Sequence, residues 1–519
     1  MIQPPDRKCL DRPSLLPLRY SLPTLFVVSA VVLLSGCRKE KLFTDDPGAR
    51  LTFSQDEVLF DTIFTQVPFS VTKRFRVHNP NSNAVRVDIA LEGGSPSPFR
   101  INVDGASGIT FEDVEILGGD SIFVFVEASL DQTNQNAPLI HEDNIHFLTN
   151  GNEQRVKLIA WGQDAHFFYP DHFPQGLPAY SIIAGGLDQM GVPICETVTW
   201  PNDKPYVVYG YAVVDSCSTL IIDPGVRVYM HGGAGFWIYR WGRMRAIGTV
   251  PDPITFQGDR LEPFYAELPG QWDRIWINDG PTGGDNELTN VVIKNALVGI
   301  QCENWPFVPD AATSEARLML NNVRIRNCSA AGILSRNYRI SSNNLLVGDC
   351  GQYSVALTGG GEYFFNHTTI ANFWNYGVRN TPAFIMTNTY ADINNTLQVR
   401  PIMNSTFTNG IIHGANTNEF KLEFNDLDMP TLAFERMLLR TDQSTTGGFF
   451  PDGNSIYRNQ NPGFRNVTDR DFHLTEGAFA RNKALPVADP QGFPAISDLD
   501  GVDRGLDLQW DLGCFEYVP

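Results

Sequence analysis

LTNVVIKNALVGIQ (288–301), LNNVRIRNCSAAGIL (320–334), NNLLVGDCGQYSVAL (343–357) and HTTIANFWNYGVRN (367–380) are four versions of one pattern. Asn295, Asn327, Asp349 and Asn372 hold the same place in each, and the last three recur at a spacing near 22. Short apolar strands recurring at a fixed period signal a solenoid, in which each unit completes its core only by stacking on the next. A period of about 22 with strands this short predicts the coils of a parallel β-helix. Asparagine tolerates the tight backbone of a coil corner, and stacked corners let its amides form a ladder. The wider gap between Asn295 and Asn327 needs a loop, and 304–314 supplies it.

Upstream, Tyr206–Tyr209, Ser218–Ile222, Gly225–Met230, Phe236–Tyr239 and Ile254–Phe256 read as short strands between glycine and proline turns. The run STLIIDPGVRVYMHGGAGFWIYRWGRMRAIGT (218–249), with DPITFQGD and GQWDRIWI after it, resembles the opening coils of exported right-handed β-helix proteins. NPGFRNVTDRDFHLTEGAFARNKA (461–484) and DLDGVDRGLDLQWDLGCFEY (498–517) resemble the closing segment of that family, with Cys514 where a small residue is usual. The resemblance spans about 195–519. It implies a fold more than a function, because this scaffold carries several chemistries and many non-enzymes.

Between Leu51 and about Gln163 the pattern changes. Val85, Val87, Ile89 and Leu91 alternate with Arg86, Asp88, Ala90 and Glu92, the period-two signature of a strand with one buried face. Turn clusters such as 79–83 and 150–152 separate several such strands. FRVHNPNSNAVRVDIAL and GGDSIFVFVEASL resemble the immunoglobulin-like modules found beside repeats in exported bacterial proteins. The fold expected is all-β, an N-terminal β-sandwich followed by a right-handed parallel β-helix. The division expected is a signal peptide (1–36), tether (37–50), sandwich (51–163), connector (164–194), β-helix (195–485) and closing segment (486–519).

Residues 22–36, LPTLFVVSAVVLLSG, are too short an apolar run for a comfortable membrane span and suit a signal-peptide core. Arg7, Lys8, Arg12 and Arg19 precede it, and Leu34-Ser35-Gly36-Cys37 ends it. This resembles a bacterial lipobox, which implies lipidation of Cys37, export and attachment to the outer membrane, with periplasmic and cell-surface sides both open. Of the six cysteines from Cys195 onward none forms a CxxC, so zinc-ribbon and thioredoxin readings are weak. Two pairings are open in an oxidising compartment, Cys195 with Cys217 and Cys328 with Cys350.

The chain carries 58 acidic against 39 basic residues, a net charge of −19. Such a surface repels phosphate backbones, so no nucleic-acid partner is expected. The scaffold is often a polysaccharide lyase or hydrolase. A hydrolase needs paired carboxylates, and the repeat holds no Asp-Asp pair. A lyase needs a basic residue and something to neutralise a uronate. Lys294 and Arg326 share one repeat position, with Arg324 two residues away on the same face. The aligned position then reads Gly348 and Ala371, so the charge lies at one end, without a partner acid. Trp374 and Tyr376 add rings that could stack on sugar. Asp164, His166, Asp171 and His172 lie close in sequence, but on an irregular segment packing explains them better than a metal. The function expected is a non-catalytic envelope lipoprotein that presents its β-helix face (288–412) to a glycan or protein. The alternative is a carbohydrate-active enzyme on an acidic polysaccharide. No cofactor, metal or catalytic residue is expected, and the ligand-contact candidates are Lys294, Arg324, Arg326, Trp374 and Tyr376.

Overall fold

The computed structural model describes residues 42–65, 72–131, 139–304, 306–487, 495–505 and 509–519. Cys37 and the apolar run before it lie outside the described residues. Contacts divide the chain into two units, one drawn from residues up to Val58, Val71–Glu127 and Glu142–Leu158, the other from Leu59–Ser70, Ala128–His141 and Ile159–Pro519.

The N-terminal part holds two five-stranded sheets. One is ordered Thr52–Phe53, Lys73–His78, Ser121–Ala128, Phe99–Val103, Ala106–Gly108; the other Glu57–Phe64, Asn152–Gln163, Leu139–Thr149, Val85–Leu91, Thr110–Ile116. Alternation positions the core as expected: Val85, Val87, Ile89 and Leu91 are buried, and Arg86 and Asp88 face solvent.

The larger unit is a parallel β-helix. Its sheet runs from His166–Phe168 to Ile456–Arg458 by parallel pairings alone. It starts before the boundary expected at 195: His166 already pairs with Tyr206 and Tyr180 with Tyr211, so the presumed connector forms the first coil. Asp164, His166, Asp171 and His172 therefore belong to its opening. His166 bonds Asp203, and Thr65 donates to the buried Asp164 carboxylate at 2.7 Å. Inside, one apolar ladder reads Ile293, Ile325, Val347, Ile370, Ile412 and Leu439, paired coil to coil and fully buried. Burying one such side chain contributes roughly 1.5–3 kcal/mol, and stacking repeats that gain at every coil.

Asn295, Asn327 and Asp349 do turn corners in the left-handed region, at φ 67°, 55° and 51°. The amide ladder forms one corner earlier, where Asn344 donates to Asn322 at 2.9 Å and Asn322 to Asn290 at 3.2 Å. Cys195 and Cys217 form a disulfide with Cα atoms 5.1 Å apart. Cys328 and Cys350 are buried free thiols in matching places, each donating to the carbonyl two residues before it.

Candidate functional site

The register extends the outward line read from the repeats. Lys294 pairs with Arg326, Arg326 with Gly348 and Gly348 with Ala371, as aligned. Ala371 then pairs with His413, while Ile412 pairs with Leu439, which brings Arg440 alongside His413. The line is thus cationic at both ends. The chain between Ala371 and His413 is almost twice the repeat length, which is why the repeat hid its far end.

Three parts of the fold cover this line. At the first end, Glu267 comes from the loop after the short helical turn Pro263–Tyr265. Its carboxylate lies 3.2 Å from Arg326, 3.2 Å from Arg470 and 3.8 Å from Lys294, and accepts from Asn327. Arg470 also meets Asp349 at 2.8 Å. Burial lowers the Lys294 ammonium and Arg326 reinforces this, while burial raises the Asp349 carboxyl against the pull of Arg470. In the middle, Phe472 packs on Ala371 and Gly348, leaving little room for a larger side chain there. Beside it, Arg324 bonds the Leu499 carbonyl and pairs with Asp500 of the closing segment.

Lys294, Arg324 and Arg326 are therefore brought together but spent on partners within the chain. They meet acids from outside the repeat, Glu267 for Lys294 and Arg326 and Asp500 for Arg324. The Tyr376 hydroxyl donates to the Glu267 carbonyl at 2.7 Å, and its ring stays 45% exposed beside the half-buried Trp374. These two rings remain available, whereas the three cations form a structural network.

The far end is different. Phe373, His413, Arg440, Asn461, Phe464 and Arg465 line an open cleft of about 510 Å³, together with Asn459, Pro462, Asn466 and Val467. No acidic side chain lines it. Arg440 donates to His413 Nε2 at 3.4 Å and has no carboxylate partner among the described residues. An arginine only donates, so His413 accepts at Nε2 and carries its proton on Nδ1. Burial, with Arg440 adding to it, pushes His413 down to about 4, which keeps the ring neutral at physiological pH. Arg465 is exposed and only loosely held, 3.5 Å from Asp471. Asn461 spends its side-chain oxygen on the Gly463 amide, which leaves its NH₂ facing no acceptor among the described residues. Arg440 and Arg465 lie outside the four repeats, so the repeat pattern does not point to them.

No protein-family model matches this chain, and no curated protein matches it. Among solved structures, the E. coli chaperone DraB is 15% identical over 22% of this chain and 54% of that one, with a TM-score of 0.16. The YadV chaperone is 14% identical over 24% and 55%, with a TM-score of 0.16. A PapD-like domain of human CEP192 is 11% identical over 24% and 92%, with a TM-score of 0.17. The chain spans about half the length of the two chaperones. Likenesses at this level bear on neither site nor function.

Proposed function

We propose that this chain is a non-catalytic cell-envelope lipoprotein that binds an acidic polysaccharide in the cleft around Arg440. The observation that carries the reading is the lining of that cleft: two arginines, a free amide and two phenylalanines, with no acid. In a protein of net charge −19 such a cleft is a local exception that favours an anion. Guanidinium groups bind carboxylate or sulfate in a fork, and flat rings pack on the apolar faces of sugars. Catalysis is disfavoured because glycoside hydrolysis needs two carboxyl groups flanking one bond.

Affinity electrophoresis of the full chain through polygalacturonate or alginate tests this. Arg440→Ala combined with Arg465→Ala is expected to weaken retention at least about tenfold, since each charged hydrogen bond contributes roughly 1.5–3 kcal/mol. Retention should also fall with added salt. Retention unchanged in the double variant removes the cleft from the reading.

One observation favours a second reading. A neutral histidine beside an unpaired arginine supplies a base and a carboxylate-neutralising group, the parts of a polysaccharide lyase. Against it, His413 is almost fully buried and its Nε2 is engaged by Arg440. Unsaturated uronate released by the wild-type chain and lost in His413→Gln decides for the lyase.

The address rests on the lipobox-like run ending at Cys37. Cys37→Ala should abolish labelling by a palmitate analogue and move the chain from the membrane to the soluble fraction. Labelling that persists shows that another residue, or none, is the anchor.

A further inference from the structure

At most coil corners the left-handed backbone is taken by asparagine, aspartate or glycine. Trp241 breaks this rule at φ 66°, the one Phe, Tyr or Trp among the described non-glycine residues with positive φ. A bulky side chain there is a conformational outlier that the surroundings must hold in place. The ring gains little from burial in return, since Trp241 is 56% exposed. Folding alone therefore favours asparagine or glycine at this position.

The surroundings hold Trp241 rigidly. Its N–H donates to the Asp279 carbonyl at 2.9 Å, and its carbonyl accepts from the Cys217 N–H at 3.1 Å. Cys217 is itself tied to Cys195 by the disulfide. Arg240 sits 5.6 Å from the ring centroid and is fixed by Asp279, at 3.1 and 3.3 Å. The indole N–H has no acceptor among the described residues. The ring borders an open cleft of about 680 Å³, whose walls include Pro281, Val308 and Glu315. Glu315 uses one carboxylate oxygen on Thr282 and leaves the other without a partner among the described residues.

We propose that Trp241 is a stacking platform for the pyranose rings of a neutral polysaccharide, at a site separate from the Arg440 cleft. A flat, preorganised ring suits the apolar face of a sugar. The free Glu315 oxygen accepts from a ring hydroxyl, and the indole N–H donates to one. Charge selects the ligand class: Arg240 and Asp279 neutralise each other, so Glu315 leaves the cleft negative and uronates are repelled.

The test is affinity electrophoresis of the full chain in detergent solution. Gels contain hydroxyethylcellulose, xyloglucan, β-mannan or laminarin, with polygalacturonate in parallel. Retardation is expected in at least one neutral gel. Trp241→Ala should weaken it roughly thirtyfold, the loss typical of removing a central tryptophan anchor, and Trp241→Tyr should retain part of it. Trp241→Gly guards against misfolding: it relieves the backbone, so its melting temperature should equal or exceed that of the wild type while retardation is lost. Arg440→Ala with Arg465→Ala should leave the neutral gels unaffected, whatever it does in polygalacturonate. The proposal is overturned if no neutral gel retards the wild type, if Trp241→Ala and Trp241→Gly migrate like it, or if the double arginine variant abolishes retardation in the neutral gels.

Discussion

Arg379→Ala is expected to destabilise the β-helix by about 3–5 kcal/mol, the cost of leaving one partner of a buried ion pair alone. Both side chains are buried. Arg379 bonds the two Glu419 oxygens at 2.5 and 2.8 Å and also donates to the carbonyls of Asn372 and Thr381. Glu419 in turn accepts the backbone amides of Ala383 and Asn416, at 2.9 and 2.7 Å. One pair thus pins the long excursion after Asn372 back onto the coils, and the Arg440 cleft lies next to its return. Urea denaturation should show the midpoint falling steeply for Arg379→Ala and for Glu419→Ala. The double variant Arg379→Met with Glu419→Leu should recover much of the loss, because it leaves no charge buried without a partner. Single variants that cost under about 1 kcal/mol, the range of an exposed pair, would show that water reaches the site.

Arg504→Ala is expected to be as damaging, but its effect should begin at the C-terminus. Arg504 is fully buried. It donates to Glu516 at 2.6 Å, to the Gly513 carbonyl at 3.2 Å and to Asn344 of the coil-corner ladder at 2.8 Å. Burial pushes the Glu516 carboxyl up to about 7, with Arg504 opposing it, so the arginine is what favours the ionised form. Losing it removes a bond to the β-helix and two within the closing segment. A loss of about 3–5 kcal/mol is expected. Limited proteolysis should cut first within 461–519, and Arg324 should lose the cover of Leu499 and Asp500. Asn344→Ala leaves Arg504 paired with Glu516 while removing the bonds to Asn322 and the Ser497 carbonyl, and should cost less, about 1–3 kcal/mol. A tail no more sensitive to protease in Arg504→Ala than in the wild type would assign its anchoring to the apolar contacts of Phe472, Leu499 and Phe515 instead.

The two arginines illustrate why some of this protein is legible in its sequence and some is not. In a stacked coil, each residue's neighbour is its own copy one period away. The spacing of Asn327, Asp349 and Asn372 therefore pointed to the β-helix, and aligning Asn295 with Asn327 gave the pairing of Lys294 with Arg326. Period-two alternation gave the buried face of Val85–Leu91 in the sandwich. These readings rest on local patterns that repeat, and repetition turns a local pattern into a tertiary contact.

What covers the outside of the coils does not repeat. Glu267 reaches Arg326 from a loop with three strands between them, and Arg470 reaches Glu267 from 203 residues away. Arg504 meets Asn344 across 160 residues. No periodicity encodes such meetings, because they depend on where a loop happens to fold back. The sequence alone thus determined the all-β class, the register of the four repeats and the charged residues at the first end of the outward line. Only the tertiary structure decided that Lys294, Arg324 and Arg326 are neutralised within the chain, while Arg440, Arg465 and Trp241 remain available to a ligand. A side chain's capacity to bind is set by what already occupies it, and that is a property of the folded surface.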